Sequence, residues 1–176
     1  MTLPPTVTVS ARGADLCASV AAAVLLVGAL AVTGTGPLGL LAAAVNAAAV
    51  LVLLGRALRR ADRDTLGPAD RVTLLRALLG AGVTGLVVDG VLAGPSGPHA
   101  VPALVAVTAV ALSLDAVDGQ VARRTGTVSA VGARFDMEVD GWLVMVLSVQ
   151  VAAELGVWVL AIGLMRYAFV AAGWAV

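Results

Sequence analysis

Four aspartates stand between residues 115 and 140 of a chain that is otherwise very apolar: Asp115, Asp118, Asp136 and Asp140. Carboxylates at membrane depth are costly and tend to be functional. Four that converge cannot all ionise in a low-dielectric site unless cations accompany them. Their oxygens suit Mg²⁺, Mn²⁺ or Ca²⁺, whereas zinc prefers Cys or His. Two divalent ions held by shared carboxylates are a standard arrangement for phosphoryl transfer, and the cluster predicts that chemistry.

The spacing of the aspartates predicts two helices that bring them together. Asp115 and Asp118 are three residues apart, and Asp136 and Asp140 are four apart, so each pair shares one face of a helix. The short turn RRTGT lies between the pairs, and two helices joined by a short link pack antiparallel. The pairs converge only if the first helix continues past Asp118 to about Arg123. We therefore expect that continuation.

Small and basic residues accompany the aspartates. Arg123 adds a fixed cation suited to a phosphate oxygen, and three positions without bulk allow a ligand or a backbone to approach closely: Gly119, Ala122 and Gly132. Glu138 points to another helix face, and we predict that it pairs with Arg134 outside the site. Taken singly, these features also fit helix packing or an ion path, and only their combination favours a catalytic site.

The composition requires a membrane for these helices. The chain has 176 residues, of which 60% are hydrophobic and 12% charged, about half the charge of an average soluble domain. Apolar stretches near the ~20 residues needed to cross a bilayer recur along the chain. We predict an all-α, polytopic membrane bundle with six transmembrane helices at about 15–34, 38–55, 72–92, 101–122, 127–151 and 156–174, and with Asp70 capping the third.

The arginines predict the orientation. They cluster in the second and fourth links between the spans, so the positive-inside rule makes those links, both termini and the opening of the site cytoplasmic. All eleven basic residues are arginine, and with the excess of Ala, Val and Gly this is typical of a GC-rich bacterial genome, which predicts a bacterial cytoplasmic membrane. The formal net charge is zero, so no basic field attracts nucleic acid.

Two arginines fall inside apolar helices rather than in links. Arg76 lies one turn into the third span, and it either faces the site near an anionic substrate or snorkels to the interface. Arg166 lies midway along the last span and needs a partner or the site. Both are candidates for binding the acceptor or a lipid phosphate.

The motif resembles the signature of the CDP-alcohol phosphotransferases, D-x-x-D-G-x-x-A-R-x8-G-x-x-x-D-x-x-x-D. All of its fixed positions are present: Asp115, Asp118, Gly119, Ala122, Arg123, Gly132, Asp136 and Asp140. The upstream stretch DRVTLLRALL is similar to the family's N-x-x-T-L-x-R segment, with Asp70 in place of the usual Asn. The resemblance extends over residues 68–176 and leaves out residues 1–67, the first two helices and the Arg-rich link.

The resemblance implies a specific reaction. Such enzymes transfer a phosphatidyl or other substituted phosphate group from a CDP-linked donor, such as CDP-diacylglycerol, to an alcohol and release CMP. Asp115, Asp118 and Asp136 would then bind divalent metal, Mg²⁺ or Mn²⁺ and two ions. Asp140 would touch metal and act as the general base. The small residues and Arg123 described above would shape the pocket for CDP.

Three further expectations accompany the resemblance. Relatives of this kind have about three helices after the motif's second helix, and this chain has one, so either the N-terminal helix pair compensates or the chain is a piece of a longer protein. Relatives also resemble homodimers. Two other functions compete: a membrane prenyltransferase that uses Asp-rich helices and Mg²⁺, whose motifs lie farther apart in sequence, and a non-catalytic membrane subunit or ion carrier, which the retention of all four aspartates disfavours.

Overall fold

A computed structural model describes residues 11–60, 68–94, 100–125 and 130–175. These residues form six α-helices and no strand, which confirms the predicted all-α bundle. The helices are α1 (Ala11–Val32), α2 (Pro37–Arg60), α3 (Pro68–Ala93), α4 (Ala100–Thr125), α5 (Ala130–Leu155) and α6 (Leu160–Ala175), with a 3₁₀ turn at Val157–Val159 before α6.

Three of the described helices are long and apolar enough to cross a membrane by themselves: Asp15–Val32, Pro37–Arg56 and Asp70–Ala93. Within the residues whose side chains are described, two further apolar helical stretches are Ala100–Ala116 and Val157–Phe169. Together these helices make the chain an integral membrane protein.

Helix α3 is the centre of the bundle. It packs against α1, α2, α4 and α5, and 67% of its span is buried, against 17% and 22% for the spans of α1 and α2. The sequence explains this position, because the apolar residues of α3 lie on all of its sides without a separate polar face, and such a helix is stable only when it is surrounded. A charged residue in the buried part of α3 must therefore find a partner inside the bundle.

Helices α2 and α3 cross at very short range. A Cβ atom placed on Gly39 would lie 2.6 Å from the carbonyl oxygen of Gly85, and one placed on Gly85 would lie 2.7 Å from that of Gly39 and 2.8 Å from the Cβ of Ala43. Small residues at a crossing let two backbones touch, which drives helix association in lipid through dispersion contacts. This crossing fixes the N-terminal helices to α3.

Polar contacts at both ends and in the middle also hold α3 to its neighbours. The Gly36 amide donates to Asp89 Oδ1 at 3.0 Å, and an ion pair joins Arg71 to Asp15 at 3.0 Å. Between these ends, Thr84 Oγ1 accepts hydrogen bonds from Asn46 Nδ2 on α2 and from Trp142 Nε1 on α5, at 3.1 and 3.3 Å. Helix α2 is thus connected through α3 to α5.

One predicted helix start is wrong. Helix α3 begins at Pro68, so Asp70 lies within its first turn and does not cap it. Proline is favoured at the first helical position because its missing N–H has no intrahelical acceptor there. An acidic residue in the first turn still stabilises the helix through its dipole.

Candidate metal and substrate site

Three helices bring the candidate site together. Helix α3 carries Arg76, α4 carries Asp115, and α5 carries Asp136 and Asp140. Helix α4 runs without interruption to Thr125, as convergence of the aspartates requires. Because α4 ends and α5 begins at the same end of the bundle, the aspartates lie about two to three turns inside that end.

The carboxylates of Asp115, Asp136 and Asp140 form a compact triad. Each offers an oxygen, and these oxygens all lie within 4.8 Å of one another. The side chains are 47%, 34% and 47% exposed, so one side of the triad is open. Three like charges at this distance repel one another strongly and persist only beside a cation.

Arg76 supplies that cation. Its side chain is 1% exposed, and its guanidinium reaches all three carboxylates. Nη1 donates to Asp115 Oδ1 at 2.6 Å and lies 2.7 Å from Asp136 Oδ1, and Nη2 donates to Asp140 Oδ1 at 2.5 Å. Nη2 also donates to the backbone carbonyl of Asp136 at 3.4 Å. The structure therefore places Arg76 among the aspartates and not at the membrane interface.

The charges of the triad are not balanced. Among the described side chains, one guanidinium contacts the three carboxylates, which leaves two negative charges without a cation in direct contact when all three are ionised. Asp136 Oδ1 is buried and accepts no hydrogen bond, although Arg76 Nη1 lies close to it. Its contact among the described residues is the ion pair with Arg76 at 2.7 Å, and a bound cation would add to the compensation of its charge.

These features fit a divalent metal ion. The donor set is made only of carboxylate oxygens, which Mg²⁺ and Mn²⁺ prefer, and the unsatisfied oxygen and the unmatched charge both call for a cation. Asp115, Asp136 and Asp140 are the residues that could hold it. Two helices contribute these ligands, so the relative position of α4 and α5 determines the geometry of the site.

The other motif residues lie close to the triad along the chain. Asp118, Gly119, Ala122 and Arg123 belong to the last turns of α4, and Gly132 to the first turn of α5. Their side chains lie outside the part of the chain whose side chains are described. Asp118 follows Asp115 by about one helical turn, on the same face.

Arg166 on α6 contacts a different carboxylate. Its Nη2 donates to Glu138 Oε1 at 3.2 Å, and its Cδ and Nε lie where a Cβ atom on Gly141 would be. Arg166 is thus beside the residue that follows Asp140, while its Nε is buried without an acceptor. The predicted pairing of Glu138 with Arg134 involves a side chain outside the described part of the chain; among the described side chains, Arg166 of α6 reaches Glu138.

Two features of this region escaped the sequence analysis. Gly141 makes room for Arg166. The signal that could have revealed this contact is the glycine directly after the last aspartate of the motif. Trp142, Thr84 and Asn46 form a polar chain across α5, α3 and α2. Each of these residues is a single polar residue on its own helix, so no sequence pattern indicated that they would meet.

The comparisons with known proteins agree with the motif. The profile of the CDP-alcohol phosphatidyltransferase family matches residues 66–176, which include α3 to α6 and every residue of the triad. Neither the curated proteins nor the solved structures yielded a match to the chain.

Proposed function

The chain belongs to the CDP-alcohol phosphatidyltransferase family, and from that premise we propose that it transfers a phosphatidyl group from a CDP-linked lipid, such as CDP-diacylglycerol, to an alcohol and releases CMP. Transfer of a substituted phosphate from a CDP-alcohol is the activity of the family. The observation that carries the proposal is the convergence of Asp115, Asp136 and Asp140 on one open cluster. A phosphoryl-transfer enzyme needs such a cluster to bind a diphosphate through metal.

The aspartates would divide two tasks. Asp115, Asp118 and Asp136 would hold divalent metal, most simply two Mg²⁺ or Mn²⁺ ions. When bound, the metal neutralises the charge of the diphosphate and makes its phosphorus more electrophilic. Two of these ligands belong to α4 and one to α5, so both helices would orient the donor.

Asp140 would act as the general base and also touch metal. Its carboxylate is 47% exposed on the open side of the triad, where an acceptor hydroxyl could reach it. The hydroxyl proton would pass to Asp140 as the acceptor oxygen forms its bond to the phosphorus. The bond from that phosphorus to the oxygen of CMP breaks, and CMP leaves with the electron pair.

The remaining candidates would surround the substrates. Gly119, Ala122 and Gly132 would leave space for cytidine, and Arg123 would bind a phosphate oxygen. Among the described side chains, Arg76 contacts Asp140 and Arg166 lies beside Gly141, and we propose these two arginines for the acceptor or lipid phosphate. Their present contacts with carboxylates would then have to be exchanged for contacts with substrate.

The location proposed for this reaction is the cytoplasmic side of a bacterial cytoplasmic membrane. The arginine distribution supports that side by the positive-inside rule. A site between membrane helices would allow a lipid-linked donor to enter laterally. The lipid-facing sides of the bundle would also permit association with a second copy of the chain.

The proposal is tested by CMP release from CDP-diacylglycerol in Mg²⁺, with the full chain in lipid nanodiscs. The acceptors are glycerol phosphate, inositol phosphate, inositol and serine. We expect CMP with one of these acceptors and none without acceptor. Absence of CMP with every acceptor, where a homologous enzyme works, would refute the proposed reaction.

The assigned base is tested by Asp140→Asn. We expect turnover to fall at least about 100-fold, the lower range for a general base, while CDP-diacylglycerol still binds. Glu154→Gln is the matched control, since it removes one carboxylate from the exposed far end of the same helix. An equal loss of donor binding and turnover in Asp140→Asn would contradict the role as base.

A further inference from the structure

Arg76 and the proposed metal ion would use the same three carboxylates. The guanidinium contacts the Oδ1 atom of each triad carboxylate, at 2.5 to 2.7 Å. A metal ligated by the triad would draw on these carboxylates too. Two cations beside one set of carboxylates repel each other, so each weakens the binding of the other.

The burial of the residues shows from which side a metal ion could replace Arg76 at the carboxylates. Arg76 is 1% exposed and lies on the inner side of the triad, whereas the carboxylates are between 34% and 47% exposed. An ion arriving from the open side meets the carboxylates first. Because α3 is packed on several sides, Arg76 has to stay in the neighbourhood of the site after its contacts are lost.

The contacts of Arg76 are also incomplete. A guanidinium has five N–H donors, yet Nε of Arg76 is buried with no acceptor, and Asp136 Oδ1 is buried with no donated hydrogen bond. A structural ion pair at this depth would be expected to satisfy both partners. Arg76 therefore contacts Asp136 Oδ1 as an ion pair at 2.7 Å without a well-aligned hydrogen bond, and its Nε takes no part in holding the triad.

We infer that Arg76 is a built-in counter-cation of the triad, and that it gives up the carboxylates of Asp115, Asp136 and Asp140 when a divalent ion binds. This inference rests on the proposed function, which supplies the ion. Arg76 thereby keeps three carboxylates together before metal arrives. It also occupies Oδ1 of Asp140 in that state, so the proposed base is engaged until the exchange takes place.

The inference is tested by Mn²⁺ binding, measured by electron paramagnetic resonance of the free ion with the full chain in nanodiscs. Removal of a competing cation should strengthen metal binding, so we expect Arg76→Gln to bind Mn²⁺ about tenfold more tightly than the wild type, or more. Arg76→Lys, which keeps the charge, should remain near the wild type. Asp115→Asn, which removes a ligand, should bind more weakly. Equal or weaker Mn²⁺ binding by Arg76→Gln would overturn the inference.

A second measurement on the wild type applies if Arg76→Gln does not fold. An arginine-specific dicarbonyl reagent modifies free guanidinium groups, and mass spectrometry of peptides separates Arg76 from Arg166. We expect saturating Mn²⁺ to accelerate modification of Arg76 several-fold relative to Arg166. An unchanged ratio would refute the exchange.

These results separate the inference from the proposed function. If the wild type releases CMP and binds Mn²⁺, and Arg76→Gln binds Mn²⁺ no more tightly, only the exchange at Arg76 is refuted. A wild type that neither binds Mn²⁺ nor releases CMP refutes both.

Discussion

The crossing of α2 and α3 provides a sharp test of how the bundle supports the site. We consider Gly85→Ala, which adds one methyl group where the two backbones touch. The new Cβ would lie 2.7 Å from the carbonyl oxygen of Gly39 and 2.8 Å from the Cβ of Ala43. Both neighbours belong to the packed part of α2, and one is backbone, so no side-chain rotation can relieve the overlap.

The magnitude follows from the distances. Carbon atoms in contact lie about 3.5–4.0 Å apart, so the helices must separate by roughly 0.7–1.2 Å at the crossing. Such overpacking typically costs about 1–3 kcal/mol. Replacing Gly by Ala inside a helix also raises the free energy of unfolding by about 0.5–1 kcal/mol, because the unfolded backbone loses entropy. A Gly→Ala control on the same helix would share this gain.

Gly80→Ala is that control. Gly80 lies on α3 as well, it is buried, and a Cβ atom there would meet nothing within 4 Å. The difference between the two variants therefore isolates the overlap with α2, and we expect Gly85→Ala to be less stable than Gly80→Ala by about 1–3 kcal/mol.

The assay is equilibrium unfolding in mixed micelles with increasing SDS, followed by circular dichroism. Gly80→Ala should unfold at or above the SDS fraction of the wild type, and Gly85→Ala clearly below it. Equal unfolding midpoints for the two variants would refute the close backbone contact between α2 and α3. The same result would remove the physical reason for treating the N-terminal helices as part of the scaffold of the site.

Three further perturbations test single contacts between helices. Asn46→Ala removes the hydrogen bond to Thr84, and we expect a loss of about 0.5–1.5 kcal/mol in the same unfolding assay; no loss would show that this bond does not couple α2 to α3. Gly141→Ala should displace the Arg166 side chain at a cost below that of Gly85→Ala, because a flexible side chain can move away from the new methyl group; a larger cost than that of Gly85→Ala would contradict this ranking. The double-mutant cycle of Glu138→Gln and Arg166→Gln should give a coupling of about 0.2–1 kcal/mol, since Glu138 is 54% exposed, and a coupling of several kcal/mol would mean that the pair is shielded from solvent.

The sequence predicted the elements of this protein well because hydrophobic length and turn residues are local signals. Six transmembrane helices were expected; the described residues form six helices, of which three are long and apolar enough to cross a membrane by themselves. Helix α4 continues through the motif to Thr125, as the spacing of the aspartates required. The aspartates themselves were identified from their cost in an apolar chain. These inferences needed only neighbouring residues.

The partners of the charged side chains could not be predicted in the same way. Arg76 is 39 residues from Asp115 and 64 from Asp140 in the chain, and periodicity within α3 does not show which helices surround it. Glu138 also accepts a hydrogen bond from Arg166, 28 residues downstream, which no local pattern around Glu138 predicted. Tertiary packing decides such pairings, because two helices that cross closely offer a partner that the local sequence does not reveal.

The position of Arg76 changes the interpretation of the aspartates. They were expected to require cations because like charges repel, and within the described residues a protein cation already lies among three of them. Under the proposed exchange, the triad carboxylates would contact either the guanidinium of Arg76 or a metal ion. Its charge balance depends on α3, which carries no aspartate of the motif.

The measurement that tests the central claim most directly is CMP release by the wild type with Mg²⁺ and after its removal by a chelator, beside Asp136→Asn under both conditions. We predict CMP only from the wild type with Mg²⁺, with recovery when Mg²⁺ is restored. CMP formation at the same rate after chelation, or by Asp136→Asn at the wild-type rate, would contradict a metal-dependent transfer at the aspartate triad.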